Sequence, residues 1–201
     1  MEWTIKLKNP LGFSTVKESI FKIILDENKN VYDAVEKFEK VVFNKLKVDK
    51  IIKPNKKIKL REIINLHNSD GIKNINQLES MVKQLKSGGE IFTEFGIPNI
   101  KLVKTKNNEY VLFDGHLSLL AYMYVGKKYL DNVPHLIIEK EMDYFSDDEV
   151  KCFFIEHANK LKGKNWRNYV VNWQELKENQ LCKKREKNMG EVFDSIKKIL
   201  S

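Results

Sequence analysis

The sequence contains few of the residues that mark specialised classes of protein. Its two cysteines, Cys152 and Cys182, lie far apart and outside any CxxC pair, so neither a zinc site nor a disulfide framework is expected. No apolar run approaches the roughly 20 residues that a membrane-spanning helix needs, and the N-terminus lacks the form of a signal peptide. We therefore expect a cytoplasmic protein with reduced thiols and no membrane partner.

Arginine is also scarce. Lysine and arginine together number 36, yet only Arg61, Arg167 and Arg185 are arginines. The net charge of +8 permits anionic partners such as nucleotides or nucleic acid. Because arginine is the preferred residue for base-edge contacts and for two-point phosphate contacts, its scarcity argues against sequence-specific reading of DNA.

Familiar catalytic motifs are absent from the sequence. It contains no GxSxG, no Walker P-loop, no HExxH and no GxGxxG. At 201 residues, with 42% hydrophobic side chains, the chain is long enough to bury a core of one or two domains. If the protein is an enzyme, its active site is therefore of a kind that these motifs do not identify.

The most informative stretch is residues 110–126. Residues 110–113 are apolar, aromatic and β-branched, as in a strand, and Asp114-Gly115 is a turn signal directly after them. Leucine, alanine, tyrosine and valine then recur at helical spacing up to Gly126, which stands where a helix-ending glycine belongs. The pattern predicts a strand that turns abruptly into a helix.

Such a turn suits an anion, because the first N–H groups of a helix are unpaired and carry the positive end of its dipole. Gly115 allows close backbone approach, while Asp114 and His116 are expected to flank the bound group. We expect His116 to change its charge near neutral pH. The alternative is that Asp114 only caps the helix and that His116 is a solvated loop residue.

Residues 114–116, the helix ending in Gly126 and the Val-Pro strand start at 133–134 resemble the signature of the ParB/sulfiredoxin superfamily. The nearest motif is the Asp-Gly-His-His-Arg of its free-serine-kinase-like members. Residues 47–55 and 96–103 resemble the family's earlier strands, so the resemblance covers roughly residues 46–140. It implies an α+β fold with a small mixed β-sheet and packed helices. Residues 1–45 are then an added strand and helical hairpin, and residues 141–201 a helical subdomain.

The resemblance also implies a nucleotide site. Phosphate is expected at Gly115, His116, Leu117 and Ser118, with Asp114 and His116 as catalytic residues and Asp114 as a ligand of Mg²⁺. The chain departs from the motif, because Leu117 replaces the second histidine and Ser118 replaces the arginine. The opposing interpretation is therefore a degenerate copy that keeps only the fold.

Other residues are expected to replace the missing groups. The lost arginine charge is assigned to lysines, chiefly Lys53 and Lys56, and Glu62 is a displaced candidate for the base. The expected cofactors are Mg²⁺ and ATP, ADP or CTP. The expected partner is a small-molecule substrate, and a homodimer is compatible with the sequence.

A second group, Lys162, Lys164, Trp166 and Arg167, interleaves basic and aromatic residues, a pattern that can hold phosphates and stack bases. Trp166, Tyr169 and Trp173 also recur at helical spacing, which favours packing in a core. The leading prediction is thus a phosphotransferase or nucleotide hydrolase acting with a small metabolite. The alternative is a non-enzymatic DNA- or protein-binding module with a partition or regulatory role. A nuclease role is less favoured, because no metal-ligand cluster is evident.

The remaining periodicity predicts the other elements. Expected strands lie at 2–8, 46–52, 95–105 and 133–138, with the third paired to 110–113. Expected helices lie at 14–26, 30–44, 61–67, 74–85, 146–160, 167–187 and 190–200, and the fourth of these begins at either Asn74 or Asn76. Ser146 and Glu149 form the capping-box pattern that opens the fifth of these.

Overall fold

The computed structural model shows an α+β fold built on a six-stranded mixed sheet and a separate two-stranded sheet. It describes residues 2–8, 20–24, 57–69, 74–92, 98–139, 145–172, 180–184 and 186–200. The strands are β1 (Glu2–Lys8), β2 (Ile20–Ile24), β3 (Ile64–Asn65), β4 (Ile100–Lys104), β5 (Tyr110–Asp114), β6 (His135–Glu139), β7 (Tyr169–Asn172) and β8 (Gln180–Lys183). The α-helices are α1 (Ile75–Lys86), α2 (His116–Tyr124), α3 (Asp147–Lys151) and α4 (Met189–Leu200), and 3₁₀ turns cover Leu60–Glu62, Leu130–Asn132, Cys152–Leu161 and Trp166–Asn168.

The large sheet has the strand order β2-β1-β6-β4-β5-β3. β4 and β5 form the expected antiparallel hairpin, whereas β4 runs parallel to β6 and β5 runs parallel to β3. The N-terminal strand β1 hydrogen-bonds to β6 and thereby joins the same sheet. The small sheet is the antiparallel hairpin of β7 and β8.

Helices α1, α2 and α4 share one hydrophobic core with the sheet. Their buried side chains, such as Leu78, Leu120 and Val192, cluster with Leu102 and Leu112, which are cross-strand partners on β4 and β5. Burial of each such side chain contributes about 1.5–3 kcal/mol. Because α2 is buried along residues 118–123, its position relative to the sheet is firmly set.

The opposite face of the sheet is also covered. Side chains alternate along a strand, so Val111 and Phe113 point away from Leu112. Both are buried, and the ring of Phe113 lies 4.7 Å from the ring of Phe153, centroid to centroid. This second layer belongs to the segment that α3 opens, where Ser146 and Glu149 form the predicted capping box.

Local signals predicted several elements correctly. The strand at 2–8, the β4–β5 hairpin, α2, β6 and the final helix are confirmed, with small shifts of their ends. Helix α1 is confirmed with Asn74 as its N-cap, whose side chain accepts the Gln77 N–H. The predicted helix at 146–160 begins as α3 and continues as a 3₁₀ turn.

Three helix predictions are wrong. The helix at 14–26 is contradicted at Ile20–Ile24, which pairs with β1 as a strand. The helix at 167–187 is contradicted by β7 and β8, and the helix at 61–67 by β3. Each of these segments contains short β-branched stretches that fit the spacing of a helix or of a strand. Pairing with a neighbouring strand determines that they form strands. The C-terminal segment is therefore mixed rather than helical. The elements predicted at 30–44 and 46–52 lie outside the described residues.

Membrane insertion through a helix finds no support in the described part of the chain. None of the helices there is both long enough and apolar enough to cross a bilayer.

Candidate functional site

The candidate site lies where two parallel strands end. Ile64 and Asn65 of β3 pair with Val111 and Leu112 of β5, so the carboxyl ends of both strands point to the same edge of the sheet. The chain after β5 enters α2 there, and the chain after β3 continues into His67. Ligands of open sheets commonly bind beyond the carboxyl ends of parallel strands.

Gly115 makes the abrupt entry into α2 possible. Its φ is +82°, and a Cβ at this position would lie 2.3 Å from the backbone oxygen of Asn99. Only glycine fits both requirements. The first helical hydrogen bond runs from the Leu119 N–H to the Gly115 oxygen at 2.9 Å. The preceding amides of the first turn therefore have no acceptor within the helix and carry its positive dipole end.

Asp114, at the end of β5, is held by two donors. Its Oδ2 accepts from the Lys101 ammonium at 2.6 Å, and its Oδ1 accepts from the Gly115 N–H at 2.8 Å. The Lys101 side chain is only 4% exposed, so this is a largely buried ion pair. Lys101 was not predicted as a site residue. Its signal was a lysine between Ile100 and Leu102 in the apolar part of β4, since buried charges are almost always paired.

His116, the first residue of α2, packs against His67. The two ring centroids are 4.2 Å apart and the rings are nearly perpendicular. The Nδ1 of His67 lies 3.1 Å from the Val171 oxygen, and because a carbonyl only accepts, the proton of the neutral ring is on Nδ1. His67 was also missed, because nothing in the sequence brings it near residue 116.

Both histidines are neutral at pH 7. Burial lowers the pKa of His67 to about 4, against weaker raising effects of the Val171 carbonyl and Asp114. Burial, reinforced by His67, lowers the pKa of His116 well below its usual value. The expectation that His116 changes charge near neutral pH is therefore wrong. Its buried Nε2 has no hydrogen-bond partner among the described residues.

The other members of the expected phosphate-binding set are differently placed. Ser118 is fully buried, and its hydroxyl accepts from the Asn99 side-chain amide at 2.7 Å and contacts the sulfur of Met81. It therefore ties α2 to neighbouring elements. Leu117 is half-buried and packs against the core, so only its backbone N–H is available to an anion.

Glu62 does not join Asp114 and His116. It lies at the amino end of β3, is exposed, and bonds to Lys59 at 2.9 Å. Lys59 and Lys128 line a cleft at the far end of α2, a helix of nine residues and thus about 13 Å long. Lys53 and Lys56 lie outside the described residues.

A further group of polar side chains lies at the end of β3 and in the chain that follows it. The side-chain amide of Asn65 donates to the His67 oxygen at 2.7 Å, and the Ser69 hydroxyl donates to Glu186 at 2.5 Å. The side chains of Asn65, Ser69 and Glu186 are buried. Asn65 Oδ1 and Glu186 Oε2 have no partner in the described part of the chain. The sequence predicted a helix over 61–67 with a loop after it, and nothing in that pattern indicates that Asn65 and Ser69 are buried.

A dedicated metal site is not present among these residues. No group of three or more His, Cys, Asp or Glu side chains in the described ranges is arranged to hold a metal ion. Asp114, the expected Mg²⁺ ligand, already has both carboxylate oxygens engaged by Lys101 and Gly115. A Mg²⁺ ligand at Asp114 stays a prediction.

The expected nucleic-acid set is partly used for packing. Trp166 is fully buried and donates its indole N–H to Asp147 at 3.0 Å. Arg167 bridges Asp147 at 2.8 Å and Glu109 at 2.5 Å, with its guanidinium 4.4 Å from the Trp166 ring centroid. Burial raises the pKa of the Glu109 and Asp147 carboxyls, but these contacts outweigh it and hold both pKa values below their usual range. Lys162 and Lys164 are exposed, while the buried indole offers no face to a base.

Comparison with known proteins returned no match among protein-family models, curated proteins or solved structures.

Proposed function

We propose that the chain binds the phosphate groups of a nucleotide at the first turn of α2 and acts as a phosphotransferase or nucleotide hydrolase on a small metabolite in the cytoplasm. The resemblance to the ParB/sulfiredoxin superfamily motivates this proposal. The observation that carries it is the uncommitted Nε2 of His116 beside the left-handed Gly115, where β3 and β5 both end.

The charges around the turn favour this proposal. A lone carboxylate at Asp114 would repel phosphate, but the buried Lys101 ammonium offsets its charge. The positive end of the α2 dipole and the unpaired backbone N–H groups then remain to attract an oxyanion. Phosphoryl transfer depends mainly on such positioning and charge stabilisation.

His116 is a better candidate for the proton acceptor than Glu62. Its lowered pKa keeps the imidazole unprotonated at pH 7, although it also makes the ring a weaker base. The proposed role is to accept the proton of an attacking hydroxyl group or water at Nε2. His67 positions the ring by edge contact. Glu62, at the other end of β3, has no part in this proposal.

Thermal stabilisation by ATP, ADP, CTP, GTP and pyrophosphate tests the proposal. A ligand at about 100 times its dissociation constant adds roughly 2.7 kcal/mol, which raises Tm by about 5–10 °C for a chain of this size. We expect one nucleotide to stabilise the wild type and the Glu62→Gln control, and to stabilise His116→Gln much less. Absence of stabilisation by every nucleotide, or equal stabilisation of His116→Gln, contradicts the proposal.

The alternative is a non-enzymatic DNA- or protein-binding module. The exposed Lys162 and Lys164 support it, whereas the internal contacts of Trp166 and Arg167 count against base stacking. Salt-sensitive DNA binding that is unchanged in His116→Gln and lost in Lys162→Ala with Lys164→Ala would favour this module over the enzyme.

A further inference from the structure

A basic cleft lies on the β7–β8 hairpin. It has a volume of about 400 Å³, and its six lining residues are Arg167, Asn168, Tyr169, Lys183, Lys184 and Lys187. Four of them, the arginine and the three lysines, are cationic. We propose that this cleft is a second ligand site and binds a compact anion that carries two or more phosphate groups.

The backbone of the hairpin holds the cationic residues together. Tyr169 and Lys183 are cross-strand partners, and the Lys184 N–H donates to the Asn168 oxygen at 2.9 Å. Lys187 follows where the chain leaves the hairpin for α4, and its N–H donates to the Glu191 carboxylate at 2.7 Å. The cleft is thus formed by paired backbone segments and does not depend on side-chain conformation alone.

Among the described residues, three of the four cations have no carboxylate within salt-bridge distance. Arg167 is paired with Glu109 and Asp147. In the described residues, no salt bridge involves Lys183, Lys184 or Lys187. Three ammonium groups that converge on one concave surface repel one another, and an anion between them removes that repulsion.

Lys184 adds a second, independent argument. Its ammonium is largely withdrawn from water and donates to the Asn65 oxygen at 3.2 Å. Burial lowers its pKa to about 8, assisted by the charge of Arg167 and opposed by Glu191 and Glu109. A buried amine that is held near its titration point gains most from a bound anion, which restores the charged form.

The size and chemistry of the cleft favour a compact polyphosphate over a long polymer. Small-molecule sites typically have volumes of about 300–1,000 Å³, and this cleft falls within that range. Lysines act as point charges that suit the oxygens of neighbouring phosphates. The ring of Tyr169 already has the Lys164 ammonium 5.5 Å from its centroid, so it is not an open platform for stacked bases.

Calorimetric titration with inorganic tripolyphosphate tests this proposal. The variant is Lys183→Ala with Lys187→Ala, and the matched control is Lys127→Ala with Lys128→Ala, which removes the same charge at the far end of α2. We expect the dissociation constant to rise at least tenfold in the first variant and less than threefold in the control. The single reversal Lys187→Glu, at an exposed side chain, is expected to weaken binding in the same direction.

Several outcomes would overturn the proposal. They are no binding to the wild type, equal loss in the variant and the control, or no loss in either. Binding of a 20-nucleotide oligothymidylate through Lys183 and Lys187, without binding of tripolyphosphate, would replace the compact ligand with a nucleic-acid backbone. His116→Gln is expected to keep tripolyphosphate in the cleft, and the double lysine variant is expected to keep stabilisation by nucleotide. Failure at one site is thereby distinguished from failure at the other.

Discussion

Lys101 and Asp114 form an ion pair with a 2.6 Å contact between Nζ and Oδ2, although the lysine side chain is only 4% exposed and the aspartate 32% exposed. The pair joins β4 to the end of β5 directly below the first turn of α2. Its two members do not share the same environment, and the consequences of removing them should differ.

Asp114→Asn is expected to lower the free energy of unfolding by about 3 kcal/mol, because it removes the counter-ion of a buried ammonium. Lys101→Met is expected to cost less, since the partly exposed Asp114 keeps contact with water and with the Gly115 N–H. Urea denaturation of both variants measures the difference, with the exposed Lys162→Met as the control. Equal losses for the two variants would contradict this asymmetry.

Gly115→Ala is expected to destabilise the chain far more than Gly126→Ala. Both glycines have positive φ, which costs an alanine about 1–2 kcal/mol. At Gly126 a Cβ has no atom within 4 Å, whereas at Gly115 it meets the backbone of Asn99 and Ile100. Thermal unfolding should show a modest decrease in Tm for Gly126→Ala and a much larger decrease, or failure to fold, for Gly115→Ala.

Stability is expected to fall as the pH decreases from about 6.5 to about 4. In this window the unfolded chain protonates residue His67 while the folded chain, with the pKa at about 4, does not. The unfolded state therefore binds more protons, and His67 alone contributes about 3 kcal/mol of the loss. His116, whose pKa is also lowered, acts in the same direction.

Denaturation at pH 7, 5.5 and 4.5 measures this slope. His67→Gln is expected to reduce the slope, because the substituted side chain does not titrate. The carboxyls of Glu109, Asp147 and Asp194 have lowered pKa values and contribute mainly at more acidic pH. An unchanged slope in His67→Gln would show that burial does not control this histidine.

Arg167→Lys is expected to destabilise the chain by about 1–2 kcal/mol, although it conserves the charge. Lysine cannot bridge Glu109 and Asp147 with a planar group or stack on Trp166 as the guanidinium does. The exposed Lys164→Ala serves as the control and is expected to change stability by less than about 0.5 kcal/mol. If both variants behave alike in urea denaturation, Arg167 is a surface residue available to ligands.

Lys184 is expected to react with acetic anhydride at half its maximal rate near pH 8, below the pH at which ordinary lysines react. Its lowered pKa makes the unprotonated amine available there. Mass spectrometry of the modified peptide follows the reaction, with Lys162 as the internal reference. Saturating tripolyphosphate should shift the Lys184 profile to higher pH and leave the Lys162 profile unchanged.

The turn from β5 into α2 was predictable because every signal for it is local. An apolar strand, a glycine and a helical repeat follow one another within 17 residues of sequence, from Tyr110 to Gly126. The capping box of Ser146 and Glu149 was predictable for the same reason. In such cases the neighbouring residues alone decide the backbone conformation.

The groups around the turn were not predictable, because strand pairing brings them together. Lys101 reaches Asp114 through the β4–β5 register, and His67 reaches His116 through the parallel pairing of β3 with β5. The β7–β8 hairpin was misread because Trp166 and Tyr169 recur at helical spacing. There the preference of Val170 and Val171 for a paired strand prevailed over the apparent repeat.

The pairing of Val171 has a consequence for how the molecule meets other chains. β3 is only two residues long and is the last strand on its side of the large sheet. The Val171 N–H donates to the Leu66 oxygen at 2.7 Å, and the Val171 oxygen lies 3.1 Å from the His67 ring nitrogen. The hairpin thus covers backbone groups that an exposed edge would offer as a template for strand addition. Growth of the sheet from this side, in assembly or in aggregation, first requires the hairpin to detach.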